Sequence, residues 1–345
     1  MADKSAIEWT DATWTPIRAR LWEIQNDGSG KERIGWHCEH ASEGCRNCYA
    51  EGFNRRLGTG RDFKPGELYR EEKRGYQNGE IKLFLDEAML TAPLRWKKPR
   101  MIFVCSMTDL FADFVPDEWI DRVFAVMALA PQHTFQVLTK RAKRMRAYVS
   151  RVSASPIPRL SDDIAAWMGQ FAAAMPDQAN RSSSDIADEL ARRLDPDNGG
   201  WPLPNVWLGV SAERRVEWLE RTTELRQTPA AVRFVSAEPL LGDLGQIDLT
   251  GLDWIIVGGE SGPDARPMHP AWARSIRDQC AAADVPFFFK QWGEFAPART
   301  SAPPSAADIN HIGDHPVRVG KKAAGRLLDG VEHNAMPELR EVPAL

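Results

Sequence analysis

The chain has 345 residues, 43% of them hydrophobic and 27% charged, enough apolar side chains for a sizeable core, which excludes disordered, collagenous and coiled-coil readings. Lysine and arginine total 44 against 48 aspartate and glutamate, a net charge of -4, so no global field draws the protein to nucleic acid and any phosphate contact must come from a local patch. The opening MADKSAIEWTDATW holds no signal-like apolar run and no uncharged apolar stretch of membrane-spanning length follows it, so the expectation is a cytoplasmic protein without a membrane span.

The first chemical feature in chain order is WHCEHASEGCRNCYAE, which places Cys38, six residues, Cys45, two residues and Cys48 on one short loop. Cysteines used this way in a long chain without an export signal read as metal ligands and not as a disulfide framework. Gly44 permits a tight turn before the middle ligand, and three thiolates suit a soft metal or a cluster. A [4Fe-4S] cluster held by three thiolates leaves one iron open. S-adenosyl-L-methionine bound there would be placed for reductive cleavage to a 5'-deoxyadenosyl radical, with an electron donor as partner. A zinc site completed by His37 or His40 is the alternative, and a cluster used only for structure or electron transfer is a third.

Six apolar, β-rich runs follow: MIFVC at 101–105, TFQVL at 134–138, VWLGV at 206–210, VRFVS at 232–236, DWIIVG at 253–258 and VPFFFK at 285–290. Continuous hydrophobicity predicts parallel strands covered on both faces. Between them, Pro116 opens a helix carrying Ile120, Val123, Phe124 and Met127, and a second helix over 272–283 turns Trp272, Ile276 and Ala283 inward. Run starts lie 33, 72, 26, 21 and 32 residues apart, against roughly 31 per strand–helix unit in a barrel. The long gap marks an inserted helical segment at 150–204, with stripes at Ile164, Trp167, Met168 and Phe171 and at Ile186, Leu190 and Leu194. The predicted fold is therefore α/β, a partial or complete TIM-like barrel with parallel strands, over residues 1–295 including that insertion. Residues 296–345 read as a connector and an ordered C-terminal extension.

Barrels concentrate functional groups beyond the C-terminal ends of their strands. Here those ends carry Asp109, a candidate for the methionine ammonium, and Ser211, Glu213, Ser236 and Glu238, candidates for ribose or methionine polar atoms. Gly258 and Gly259 allow close backbone approach to a cofactor, and Glu260 beside them is a further cofactor or substrate contact. Lys140, Arg141 and Arg144, with Lys290, form the candidate substrate-binding cations, suited to phosphates of a nucleotide or nucleic acid. Trp96 beside Lys97 is a candidate stacking platform. Cys105 and Cys280 read as isolated core cysteines. GKKAAGR at 320–326 lacks the full phosphate-loop order, which excludes a nucleotide hydrolase on that motif.

Taken together, IEWTDATWTP, GCRNCYAE, VCSMTDLF, LTKRAKRM, GVSAE, RFVSAEPLL, WIIVGGESGP and FFFKQWGE resemble a phage and bacterial three-cysteine-motif family of unknown function, itself similar to radical S-adenosylmethionine enzymes. The resemblance implies an iron–sulfur barrel that modifies an unidentified, nucleotide or nucleic-acid, substrate. The alternative is a noncatalytic barrel that binds nucleic acid or a partner protein and is stabilised by zinc or a cluster. The chain departs from the common radical pattern in the longer first spacing and in Asn47, which precedes the final cysteine where an aromatic is usual; Tyr49 follows it instead.

Overall fold

The computed structural model describes residues 5–65, 68, 80–154, 185, 188, 189, 191, 192, 201–297 and 315–338. The helical stripes expected within the insertion, and the connector over 298–314, lie outside the described residues.

The chain opens with a short strand, β1 (Ala12–Trp14), followed by β2 (Ile17–Ile24) and β3 (Gly30–Gly35). The cysteine loop leads into α1 (Tyr49–Leu57), then β4 (Ile81–Leu85), α2 (Glu87–Leu90) and β5 (Met101–Val104). After these come α3 (Asp117–Leu129), β6 (Thr134–Thr139), α4 (Ala142–Ala154), β7 (Val206–Ser211), α5 (Arg215–Arg226), β8 (Val232–Ala237) and β9 (Trp254–Gly258). The last elements are α6 (Pro270–Ala282), β10 (Phe287–Gln291), β11 (Phe295–Pro297), β12 (Pro316–Arg318) and α7 (Lys321–Ala324).

Seven strands form one sheet in the order β1-β5-β6-β7-β8-β9-β10. Every pairing in it is parallel, and the sheet curls through 205° into a half-barrel. A partial TIM-like α/β barrel is thus the fold. All six apolar runs are strands of it. β2, β3 and β4 make a separate antiparallel sheet in the order β3-β2-β4; along β2, Ile17, Ala19 and Leu21 are buried while Arg18 and Arg20 between them are not, as one-sided burial requires.

Alternation along the barrel strands divides two cores. Outward residues such as Val104, Val137, Leu208, Val235, Val257 and Phe289 pack under the helices together with Val123 and Phe124 of α3 and Ile276 of α6. The four α3 residues expected to face inward are all buried. On α6 the buried stripe is Ala273, Ile276 and Cys280, while Ala283 caps the helix and is exposed. The concave side is filled from below by Trp9, Phe103, Trp207, Phe234, Trp254 and Phe288, an aromatic floor in which rings meet edge-on, as Trp207 and Trp254 do at 5.8 Å.

The open edge of β10 is covered by the C-terminal segment. The N–H groups of Phe289 and Trp292 donate to the carbonyls of His333 and Gly325 at 2.9 and 3.1 Å. The Trp254 and Trp292 indoles donate to the carbonyls of Ala335 and Leu327, each at 2.8 Å. Among the described residues no helix is long and apolar enough to cross a membrane.

Candidate functional site

Above the aromatic floor the inward positions change character. Gly209 and Ser211 follow Trp207, Ser236 and Glu238 follow Phe234, Gly258 follows Ile256, and Lys290 follows Phe288, so parallel register brings them to one rim; Ser211 and Ser236 are direct cross-strand partners. Ser236 Oγ donates to Glu238 at 3.0 Å, and Lys290 Nζ lies 3.2 Å from the same carboxylate. At Gly258 a Cβ would stand 2.5 Å from Glu238 Oε1, so a side chain there would displace that carboxylate. Gly259 serves the backbone, because its Cβ would fall 1.9 Å from the Trp292 carbonyl.

The cysteine loop lies across this rim and is fastened to it strand by strand. At β5, Tyr49 OH donates to the Ser106 carbonyl at 2.6 Å and Thr108 Oγ1 donates to the His37 carbonyl at 2.6 Å. At β6, Arg141 donates to the Glu39 carbonyl at 2.7 Å. At β7, Ser42 Oγ donates to Glu213 at 3.0 Å, and Gly44 passes so close that a Cβ would be 2.3 Å from the Glu213 carboxylate. At β9, Asn47 Nδ2 donates to Glu260 at 3.1 Å. Arg266 donates to both Glu43 and Glu260, at 2.9 and 2.7 Å.

The far side of the loop is held by α1. Asn54 is fully buried and uses all its amide capacity. Its oxygen accepts from the N–H groups of Trp36 and Thr59, and its nitrogen donates to Thr59 Oγ1 and the Arg61 carbonyl, all within 3.1 Å. Glu51, also buried, accepts from the Phe63 N–H at 2.8 Å.

The predicted acids and cations are brought together here, largely in pairs. Glu213, with no exposed surface, accepts from Arg221 at 3.1 Å and from Lys140. Burial alone would raise its pKa, but Lys140 and Arg221 outweigh that and hold it below the ordinary value. The same contest, won by Arg266 and Asn47, depresses Glu260. Asp109 accepts from Thr139 Oγ1 at 2.7 Å and from the Phe111 and Lys140 N–H groups at 3.0 Å, with Arg141 at 3.4 Å. Arg144 lies apart from the rim: it donates to the Ala112 and Val115 carbonyls and to Asp117. Trp96 packs against the core beneath Arg100 and beside His133.

Cys38, Cys45 and Cys48 are free thiols, with Cys45 buried and the other two half-buried. Burial pushes the Cys38 thiol up, assisted by Asp109 and opposed by Arg141, and the neighbouring Cys48 and Cys45 push it further. Burial likewise raises Cys48. Among the described residues no group of three or more His, Cys, Asp or Glu stands in a metal-holding array. The chemistry of the donor set nonetheless fits a soft cation or cluster. Cysteine thiols become stable thiolates where a positive centre joins them, because its charge offsets burial and the repulsion between neighbouring thiolates. Cys280 is a core residue as expected. Cys105 is buried too, but it sits at the rim with a positive φ of 56°; burial raises its thiol, and Asp109 and then Cys38 push it further, a proximity the sequence did not disclose. His37 is buried between Phe63 and Phe114, whereas His40 lies 3.4 Å from Glu51.

Neither a curated protein nor a solved structure matches the chain. A family model described as "Protein of unknown function (DUF5131)" matches residues 33–337, from the strand before the cysteine loop to the segment that covers the barrel edge. On that match, which takes in most of the sequence, the chain belongs to the DUF5131 family.

Proposed function

We propose that the protein is an iron–sulfur, radical S-adenosylmethionine-type enzyme whose substrate, a nucleotide or nucleic acid, is modified at the mouth of the half-barrel. The observation that carries this reading is the position of the three free thiols, on a loop fastened to the C-terminal ends of parallel strands, where α/β barrels place their chemistry. In outline a parallel half-barrel is also the architecture of radical S-adenosylmethionine enzymes.

Cys38, Cys45 and Cys48 would hold a [4Fe-4S] cluster. When bound with S-adenosylmethionine and given an electron, it supplies reductive carbon–sulfur cleavage to methionine and a 5'-deoxyadenosyl radical. The chain's own residues fix the geometry. Glu213 and Glu260 hold Ser42 and Asn47, which flank Cys45 and Cys48 in sequence, so the thiols are oriented by buried carboxylates. Ser211, Ser236, Glu238 and Lys290, on the concave rim, would bind polar atoms of cofactor or substrate. Asp109 sets the turn carrying Lys140 and Arg141.

Anaerobic reconstitution tests the reading. About four irons and four sulfides per chain are expected, with a reduced-cluster electron paramagnetic resonance spectrum that changes on addition of S-adenosylmethionine and reductant-dependent release of 5'-deoxyadenosine. A colourless protein that retains one zinc and refuses reconstitution would refute it and favour the zinc-stabilised binding barrel.

A further inference from the structure

Among the described residues, helix α1 buries one face and leaves apolar side chains exposed on the other. Ala50, Glu51 and Asn54 are buried, while Tyr49, Phe53 and Leu57, four residues apart, are 54%, 42% and 69% exposed. Single exposed apolar side chains are ordinary, but a contiguous row marks a binding surface. The row begins at the mouth, because Tyr49 follows Cys48 directly and its hydroxyl is tied to the end of β5. Between Tyr49 and Phe53, Gly52 leaves open space where a side chain would stand, so no side chain at that position comes between the two rings.

The charges beside this row identify its partner. The Arg56 guanidinium lies over the Phe53 ring at 5.1 Å and has no carboxylate partner among the described residues. Arg46, at the approach to α1, has 70% of its side chain exposed and pairs at the surface with Glu43 at 3.4 Å, a solvent-screened contact that a phosphate can replace. A protein helix seated on the row would desolvate these cations, whereas a phosphate backbone would neutralise them. Steps of four residues advance about 6 Å along a helix, wider than the roughly 3.4 Å rise of a stacked strand, which suits an unstacked strand whose bases rest on aromatic faces.

We propose that this face of α1 binds single-stranded nucleic acid, with Phe53 as a stacking platform and Arg46 and Arg56 on phosphates, and that it leads a nucleotide past Tyr49 into the mouth. Delivery to a reacting centre rests on the function proposed above; binding to the face does not.

Fluorescence anisotropy of the full chain with a labelled oligothymidylate, its duplex form and an apolar helical peptide tests the surface. The single strand should bind with salt-dependent affinity and the duplex and peptide more weakly. Phe53→Ala should weaken binding about tenfold and Phe53→Trp should preserve it, while Arg56→Gln should lower the salt slope by about one phosphate contact. These variants should retain the wild-type melting temperature and iron content. Absence of single-strand binding, equal affinity for duplex, preference for the peptide, or affinity unmoved by Phe53→Ala would each overturn the proposal. Loss of S-adenosylmethionine cleavage chemistry in the wild type with this binding intact would instead remove the radical reading and leave the surface standing.

Discussion

Replacing Glu213 tests whether a buried carboxylate supports the cysteine loop. The side chain is wholly enclosed and serves Ser42, Lys140 and Arg221. Glu213→Ala leaves two cations facing each other without their anion, and losing one partner of a buried pair costs about 3–5 kcal/mol. Lys140 keeps 18% of its side chain exposed and Arg221 only 6%, so Lys140 has a route to water and the lower half of that range is expected. At roughly 2 °C per kcal/mol for a large domain, the melting temperature should fall by about 6–8 °C. Glu213→Gln, which keeps the shape and a hydrogen-bond acceptor, should lose less. Circular dichroism melts give the stability, and hydrogen exchange over residues 38–48 should accelerate in the alanine variant because Ser42 is released. The depressed Glu213 pKa also sets a sign: its contribution is present above the ordinary carboxylate value and is lost as pH falls through the lower folded value. A Glu213→Ala protein that melts within a degree of wild type, with unchanged exchange in the loop, would refute the clamp.

Gly44→Ala should push the loop off Glu213, since its Cβ would meet the carboxylate at 2.3 Å; iron and sulfide content after reconstitution should drop while the barrel's circular dichroism persists. Alanine at any one of Cys38, Cys45 or Cys48 should abolish stoichiometric cluster uptake, and alanine at buried Cys280 should not, as measured by iron and sulfide analysis. His133, whose pKa is lowered by burial beside Phe135 and Trp96, resists protonation in the fold. Urea midpoints should therefore fall as pH drops below its ordinary value of 6.5 toward the lower folded value, and His133→Phe should flatten that part of the acid limb.

The barrel was legible because its strands are buried on both faces, and continuous runs such as DWIIVG have no other inexpensive place in a soluble fold. β1 escaped notice because Ala12–Trp14 is too short to carry a pattern. α5 escaped because its inward face includes Arg221 and Thr222 beside Trp218 and Leu225, polar residues buried to serve Glu213. On α1 the signal is inverted. Tyr49, Phe53 and Leu57 have helical spacing, yet the fold buries Glu51 and Asn54 instead because the surrounding loops satisfy their polar atoms. That the three cysteines share one short loop, and that the candidate acids stand after their strands, was legible from spacing alone. What spacing could not reveal was that Lys140, Arg141 and Arg144 are engaged by carboxylates and carbonyls inside the protein, while Arg46, just before α1, keeps most of its side chain exposed.

The covering of the β10 edge has a consequence for biosynthesis. Phe289 and Trp292 find acceptors for their N–H groups, and Trp254 and Trp292 for their indoles, in the segment from Gly325 to Ala335. A nascent chain can assemble β1 to β10 on the ribosome, but until that segment clears the exit tunnel it presents an unpaired strand flanked by aromatic side chains, the kind of edge that recruits other chains. A chain truncated just before Gly325 should therefore yield an aggregation-prone barrel, and one that extends past Ala335 should not, as read by light scattering during refolding.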